Sequence, residues 1–365
     1  MNDALPSHNK LNVGYLAGLF KNTTNSYKLL FFLAMLDELK TRAANNDCSR
    51  EIGIQNLTVN LLQFGWYPHR FFSLSFGLQD QIAQSLDKLV FRADEHAITN
   101  PTTKARLRLS IEEQFQMVGG DSFSRYVPFR LLTPFFKEEL KGVPDTKKNT
   151  VITRLAGEAF NTDAPALYRF DSDCSQIELH PEWHRYLLVN FPIVKSWALF
   201  EWANYLQRQN PHTPAILRKI EPPKQRASLA KQTKFWNLVV EQRPIRCIYS
   251  NVHLSSGSFA LDHFIPWSFV CHDELWNLIP ADPRANSSKG RAIPEDKFLD
   301  PFIDQQIEAL QVHRTRNNKN WCQVIEPYLE GLNLSESELA TPGKIGDAYE
   351  KKLRPLLDLA KTIGY

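Results

Sequence analysis

The sequence predicts an α+β protein: a mainly α-helical N-terminal domain, then a small ββα unit, then C-terminal helices. Three observations lead to this prediction. Apolar residues recur at helical spacing over much of the first 215 residues. Two short apolar runs with strand character lie between 259 and 279 and precede a capped helix. Helical patterns then return over 302–312, 321–329 and 345–359.

The helical pattern of the N-terminal region is clearest in two places. Capping residues at 22–25 precede an apolar stretch that is predicted to form a helix buried on all sides. The segment 192–206 is the best amphipathic helix of the region. Helices are also predicted over 54–64 and 71–82, whereas the alternation over 106–110 fits either a short strand or the start of a helix.

The small unit that follows is predicted to be β-β-α. The apolar run Phe259–Ile265 is typical of a short strand, and Leu275–Ile279 is predicted to be a second one. Asp282 is suited to cap a helix, because its carboxylate can accept hydrogen bonds from the first backbone N–H groups. Pro283 then occupies the first helical position, where proline is favoured. Gly290 is predicted to end that helix.

This unit concentrates acid, base, amide and lysine groups at spacings that one reaction needs. Phosphodiester hydrolysis requires a base to activate water, a cation to neutralise the transition state, and a group that holds the base in one tautomer. The residues that supply these parts are Asp262, His263, Asn277, Asn286 and Lys289. Asn286 and Lys289 are three residues apart and share a helix face. Neighbours in an ideal strand point to opposite faces, so Asp262 and His263 can share a site only where the strand ends or twists.

These residues, in this order, resemble the HNH endonuclease family with its ββα-metal active site. The pattern of that family is Asp-His, an apolar pair and Pro, then Ser-Phe, an acidic loop, Asn before the second strand, Asn in the helix, and Lys-x-x-x-x-Pro. The matching residues are Asp262-His263-Phe264-Ile265-Pro266, Ser268-Phe269, Asp273-Glu274, Asn277, Asn286 and Lys289 through Pro294. The resemblance extends to the HNH domain of RNA-guided CRISPR nucleases.

The resemblance implies a role for each residue. Asp262 and Asn286 are expected to bind the metal ion, and His263 is expected to be the general base. Asn277 is expected to orient His263 through its side chain or its backbone carbonyl. Lys289 is expected to lie near the scissile phosphate or its neighbour.

The helix position of Asn286 bears on the choice of metal. HNH enzymes of the colicin type have His there, which suits zinc or nickel. Carboxylate and amide oxygens favour Mg²⁺ or Mn²⁺, so one of these is the expected cofactor. Many HNH proteins also hold a structural zinc with two Cys-x-x-Cys pairs. Here Ser250 stands where the partner of Cys247 would be, and no such pair follows, so a structural zinc is not expected.

The distribution of charge says more about nucleic-acid binding than the net charge of +3. The segment 218–234 holds six basic residues against one Glu, and basic residues recur over 313–319. These segments fit phosphate contacts or, equally, a linker and a solvated helix face. Arg284 and Arg291 are better candidates for nucleic-acid contacts, because they lie beside the predicted metal and phosphate residues.

Other features of the sequence predict a cytoplasmic protein that does not cross a membrane. Its five cysteines have no framework spacing, which suits a reducing compartment. The first residues lack a signal pattern, and the longest apolar run, Leu29–Leu36, is too short to span a bilayer.

Four regions are predicted: a mainly helical domain of unknown role at 1–215, a basic linker or helix at 216–240, an HNH nuclease domain at 241–300 and a helical region at 301–365. RNA-guided nucleases add an RNase H-like nuclease and a guide channel, which this sequence lacks. The architecture instead resembles a stand-alone DNA endonuclease of a bacterial anti-phage defence or restriction-type system. Such a protein is expected to act with an ATPase or sensor partner.

Two alternatives remain open. One alternative to a DNA endonuclease is an effector or scaffold protein that binds nucleic acid and is either inactive or activated by a partner. The other alternative is a nuclease that cuts RNA. The presence of base, ligands and orienting amide argues against lost activity. A water activated by His needs no 2′-hydroxyl, so DNA is the expected substrate.

Overall fold

The computed structural model describes residues 5–21, 23–92, 100–221, 227–316 and 321–365. The chain divides into two compact units. The first unit comprises Met1–Pro211 with Ile216–Lys224, and the second comprises His212–Ala215 with Gln225–Tyr365. In the described residues, no helix is both long and apolar enough to cross a membrane.

The first unit is mainly helical and carries one small sheet. Its helices are α1 (Val13–Ala17), α2 (Tyr27–Ala44), α3 (Ile54–Trp66), α4 (Gln81–Lys88), α5 (Pro101–Glu113), α6 (Gly120–Leu131), α7 (Asp145–Ala159), α8 (Pro181–Val189) and α9 (Phe191–Gln209). Its strands are β1 (Glu51–Gly53), β2 (Tyr168–Phe170) and β3 (Gln176–Leu179). Strand β3 lies between β1 and β2 and pairs antiparallel with both.

Helix α2 forms the centre of the first unit, in agreement with its apolar sequence. All residues from Leu29 to Leu36 are buried, and the helix packs against α3, α6 and α9. The helix begins at Tyr27, after Ser26. Of the predicted capping residues, Asn22 lies outside the described residues.

Capping residues decide where two helices of the first unit begin. The predicted helix over 71–82 is wrong: α4 begins only at Gln81, because the Asp80 carboxylate accepts a hydrogen bond from the Ile82 N–H and caps the helix there. The ambiguous segment 106–110 lies inside α5, which Asn100 caps through the N–H of Thr102.

The second unit contains the predicted ββα element between further helices. Its elements are α10 (Ala230–Gln242), β4 (Ala260–His263), α11 (Trp267–Val270), β5 (Leu278–Ala281), α12 (Pro283–Lys289), α13 (Leu299–Thr315), α14 (Trp321–Leu332) and α15 (Pro342–Thr362). Strands β4 and β5 pair antiparallel, with Asp262 opposite Ile279 and His263 opposite Leu278. The predicted α+β class is confirmed.

The second strand begins later than its sequence predicts. Residues Leu275–Asn277 form a single 3₁₀ turn, and β5 starts at Leu278. The backbone here is held by helices from outside the ββα element. The Leu278 carbonyl accepts hydrogen bonds from Trp236 Nε1 at 3.1 Å and from Gln306 Nε2 at 2.8 Å. The hydroxyl of Tyr349 donates to the Trp276 carbonyl at 3.1 Å. These bonds and the surrounding apolar core hold the small ββα element in place.

Helix α14 packs closely on the turn that precedes β5. A Cβ atom added at Gly331 would lie 2.2 Å from Nε1 of Trp276, so only glycine fits against the indole. Trp276 itself is almost fully buried.

Candidate active site

Strand β4 delivers an acid and a base at its last two positions. Asp262 is 3% exposed and His263 is 8% exposed. Burial of charged or polar groups is costly unless they have partners, so the contacts of these side chains define the site. Strand β4 ends at His263, and this ending allows the neighbouring residues Asp262 and His263 to share one site.

The Asp262 carboxylate is bound on both oxygens. The hydroxyl of Tyr249 donates to Oδ2 at 2.6 Å, and the Lys289 ammonium lies 3.0 Å from Oδ1. Burial and the charge of Asp262 raise the pKa of Tyr249 well above its usual value, so its hydroxyl stays protonated and donates. The Lys289 side chain is only 8% exposed, which makes this a buried ion pair.

Lys289 also joins the two ends of the ββα element. Its ammonium donates to the backbone carbonyl of His263 at 2.8 Å as well as to Asp262. Helix α12 therefore presents its last turn to the end of β4. The position of Lys289 near a phosphate stays a prediction. Its direct side-chain partner in this structure is Asp262.

The His263 imidazole has a carboxylate partner of its own. Its Nε2 atom lies 2.8 Å from Oδ1 of Asp273. With the proton on Nε2, the ring donates to Asp273 and leaves the Nδ1 lone pair as its basic site. The structure bonds the Asp262 carboxylate to Tyr249 and Lys289, not to this ring.

Asn277 acts on the backbone that follows His263. The fully buried side chain accepts from the Ile265 N–H and donates to the Ile265 carbonyl, both at 2.9 Å. Its own carbonyl accepts from the Phe264 N–H at 2.9 Å. The structure thus places Asn277 beside the two residues after His263, where it fixes the backbone that follows His263, rather than in contact with the imidazole.

Helix α12 carries the remaining predicted residues. Asp282 caps it by accepting from the N–H groups of Arg284 and Ala285, as the sequence indicates. Asn286 is half-buried, on the same helix face as Lys289, and its amide has no hydrogen bond to the part of the chain that the structure describes. Arg284 and Arg291 are exposed.

The residues of this site lie within a stretch that matches a known protein family. Residues 247–295 match the family model described as HNH endonuclease. These residues form an HNH endonuclease domain. The match lies within the second unit and includes β4, β5 and α12. Comparisons of the chain with curated proteins and with solved structures gave no significant match.

Backbone hydrogen bonds hold the turn at the start of the HNH domain. Cys247 is buried, its N–H donates to the Val252 carbonyl at 2.9 Å, and its carbonyl accepts from the Asn251 N–H at 2.8 Å. Arg246 and His253 form a β-bridge across the same turn. This turn places Tyr249 against Asp262.

Two residues of the HNH site were missed in the sequence. The sequence indicates Asp273 only as part of an acidic loop, and it does not single out Tyr249, which lies between Cys247 and Ser250. The place of Asp273 in the family pattern was the available signal. Their partners, His263 and Asp262, depend on how two loops fold back on β4.

The donors of the HNH site fit a hard divalent ion. Asp262 supplies carboxylate oxygens and Asn286 an amide oxygen that has no other described partner. Mg²⁺ binds through one or two protein oxygens and keeps several waters. Within the described ranges, no group of three or more His, Cys, Asp and Glu side chains forms a metal cluster. A metal ion at Asp262 would have to replace or share the contact that Lys289 now makes.

Proposed function

We propose that the protein is a divalent-metal-dependent endonuclease that hydrolyses phosphodiester bonds of DNA, with His263 as its general base. The observation that carries this proposal is the 2.8 Å contact between His263 Nε2 and Asp273, at the end of β4 in an HNH domain. A base needs a fixed tautomer and a free lone pair, and this contact supplies the first while leaving Nδ1 for water.

The proton path follows from this geometry. Nδ1 of His263 accepts a proton from the water that attacks phosphorus, and the imidazolium that forms is stabilised by the Asp273 carboxylate. The P–O bond to the leaving oxygen breaks, and that oxygen takes a proton from solvent. Asn277 keeps the backbone after His263 in place while the charge on the ring changes.

Asp262 and Asn286 are the residues that would hold Mg²⁺ or Mn²⁺. The bound ion would neutralise charge on the phosphate and the leaving oxygen. Lys289 holds Asp262 in its present position and lies at the same end of the site, so it can move its charge towards a phosphate oxygen. The exposed side chains Arg284 and Arg291 are suited to contact the neighbouring backbone of the nucleic acid.

Cleavage assays with paired substrates test the reaction and its substrate. Supercoiled plasmid and a structured RNA are incubated with the full chain, with Mg²⁺, with Mn²⁺ or with chelator. Relaxed plasmid in the presence of either metal, and intact RNA, is the expected result. Cleavage of RNA alone would replace DNA with RNA as the substrate. Cleavage that persists in chelator would overturn the metal requirement.

Activation by a partner is a second candidate that one observation favours. Both oxygens of Asp262 already accept from Tyr249 or Lys289, so a metal must share this carboxylate with these donors or displace one of them. A bacterial cytoplasmic defence or restriction-type role, with an ATPase or sensor that triggers cleavage, agrees with this arrangement. Cleavage that appears only when such a partner and its signal are added would support this candidate.

A further inference from the structure

A cavity of about 1080 Å³ lies in the second unit, and residues of the Asp273 loop are among those that line it. Helices α10 and α14 and the end of α13 form its walls. The lining residues that bear on its chemistry are Lys231, Gln232, Lys234, Asp273, His313 and Arg316. We call this space the basic cavity. It brings together the two basic segments that flank the nuclease unit in the sequence.

Three cations of the basic cavity have no ion pair with any residue in the described ranges. Lys231 and Lys234 lie in the first turns of α10, and Arg316 directly follows α13. The start of α10 adds the partial positive charge of its unpaired N–H groups. Three acidic residues also line the cavity: Glu241, which lies at the other end of α10 and accepts from Ser256, and Asp273 and Glu274 in the loop before β5. The three cations without an ion pair therefore lie in the first turns of α10 and at the end of α13.

The basic cavity also contains two buried acceptors without partners. His313 is 3% exposed, and its Nε2–H donates to the Phe235 carbonyl at 3.1 Å. Burial lowers the pKa of His313, so the ring is neutral and its Nδ1 is an acceptor. Gln232 donates from Nε2 to the Asp273 carbonyl at 3.1 Å, which leaves Oε1 as a second acceptor. Nδ1 of His313 and Oε1 of Gln232 have no hydrogen-bond partner in the described part of the chain.

Unpaired buried acceptors cost free energy until an N–H or O–H donor reaches them. A ligand that fits must therefore combine hydrogen-bond donors for these two acceptors with negative charge for the three cations. The apolar lining side chains Leu238, Val324 and Pro327 suit the faces of a flat ring. The volume lies at the upper end of the range of small-molecule sites.

We propose that the basic cavity binds a nucleotide, either as a free molecule or as one unit of a nucleic-acid strand. Its phosphate contacts Lys231, Lys234 and Arg316, and the N–H groups of its base donate to Gln232 and His313. The site goes beyond the proposed nuclease function, and its occupancy is measurable without cleavage. Asp273 belongs to both places: its carbonyl accepts from Gln232, and its carboxylate binds the base His263.

Binding is measured on the full chain carrying His263→Ala, which removes cleavage as a complication. The probes are AMP, GMP, CMP and UMP by calorimetry, and a fluorescent single-stranded DNA decamer by anisotropy. The cavity variant is Lys231→Ala with Arg316→Ala. The matched control is Lys344→Ala with Lys351→Ala, which removes two exposed charges of the second unit outside the basic cavity.

The expected result is binding of at least one probe that weakens by about tenfold or more in the cavity variant and little in the control. Binding of a mononucleotide identifies a free ligand, and binding of the decamer alone identifies a unit of a strand. Gln232→Leu is expected to change the preference among the four bases. The proposal is overturned if no probe binds, or if the cavity variant and the control bind alike. Neither result depends on whether the wild-type chain cuts DNA.

Discussion

His263 Nε2 and Asp273 Oδ1 lie 2.8 Å apart, and this contact gives the proposed base of the HNH domain a carboxylate partner. The two residues come from different elements: His263 ends β4, and Asp273 lies in the loop before β5. A carboxylate at this place fixes the ring orientation and favours the imidazolium that forms during catalysis. We therefore propose Asp273 as a positioning residue for His263.

Replacing Asp273 with Asn tests this positioning role. Asn keeps the shape but removes the charge that stabilises the imidazolium, so kcat is expected to fall by about 10- to 100-fold while KM changes little. Steady-state cleavage of a duplex substrate measures both quantities. The control is Glu274→Gln at the next residue, which is expected to leave kcat near wild type. An unchanged kcat in Asp273→Asn would show that Asp273 does not position His263 for catalysis.

Tyr249→Phe tests the hydrogen bond that holds Asp262. The variant removes one donor to a buried carboxylate, so the free energy of unfolding is expected to fall by about 1.5 kcal/mol. The Mg²⁺ concentration for half-maximal cleavage is expected to rise by about tenfold, because Asp262 loses its fixed orientation. Urea unfolding and metal titrations measure the two effects. Tyr126→Phe, at an exposed tyrosine of the first unit, is the control. Equal metal dependence in both variants would contradict the prediction.

Lys289→Met tests the buried ion pair with Asp262. Removing the ammonium leaves a buried carboxylate without its charge partner, so stability without metal is expected to fall by about 3 kcal/mol. Added Mg²⁺ then compensates for the missing charge, and its increase in Tm is expected to be larger in the variant than in wild type.

The control for Lys289→Met is Lys297→Met, at an exposed lysine paired with the exposed Glu295. Its stability is expected to stay within about 0.5 kcal/mol of wild type. Thermal unfolding with chelator and with Mg²⁺ measures all three proteins. A Tm increase that is the same in Lys289→Met and wild type would show that metal and Lys289 do not share Asp262.

The pH dependence of stability is expected to change in His313→Gln. Burial, followed by the charge of Arg316, lowers the pKa of His313 in the folded chain, although its bond to Phe235 opposes this. The unfolded chain, with its ordinary His pKa near 6.5, then binds more protons than the folded chain. Stability is therefore expected to fall as the pH drops through about 6.5 and below. Urea unfolding between pH 5.5 and 7.5 is expected to show a smaller decrease in His313→Gln.

The comparison between wild type and variant isolates His313 from other histidines. Burial also lowers the pKa of His180 and of His184 in the first unit, so wild type loses stability in acid for several reasons. Those contributions are common to both proteins and cancel in the difference. Parallel pH profiles for the two proteins would show that His313 is not a source of the acid sensitivity.

Local sequence was enough to predict the parts of the site that depend on local structure. The cap at Asp282 and the helix face shared by Asn286 and Lys289 follow from neighbouring residues, whereas β4 ends at His263, two residues before the end of the predicted strand. The family match over 247–295 confirms the HNH prediction that rested on them.

The parts that were missed depend on contacts between distant residues. Asp273 reaches His263 because the chain turns after α11, where Cys271 adopts a left-handed conformation. Spacing on α12 predicts which residues share a face, but not that this face meets Asp262. The late start of β5 follows from bonds that Asn277 makes to the Ile265 backbone. None of these pairings leaves a periodic signal in the sequence.

The most direct test of the account is the rate of plasmid nicking by His263→Ala under single-turnover conditions with saturating Mg²⁺. Relaxed plasmid is expected to form in wild type and in Lys351→Ala. The nicking rate is expected to fall by at least about 100-fold in His263→Ala, because no group then takes the proton of the attacking water. Matching Tm values in the three proteins exclude misfolding as the cause. Nicking by His263→Ala at the wild-type rate would contradict the assignment of His263 as the base.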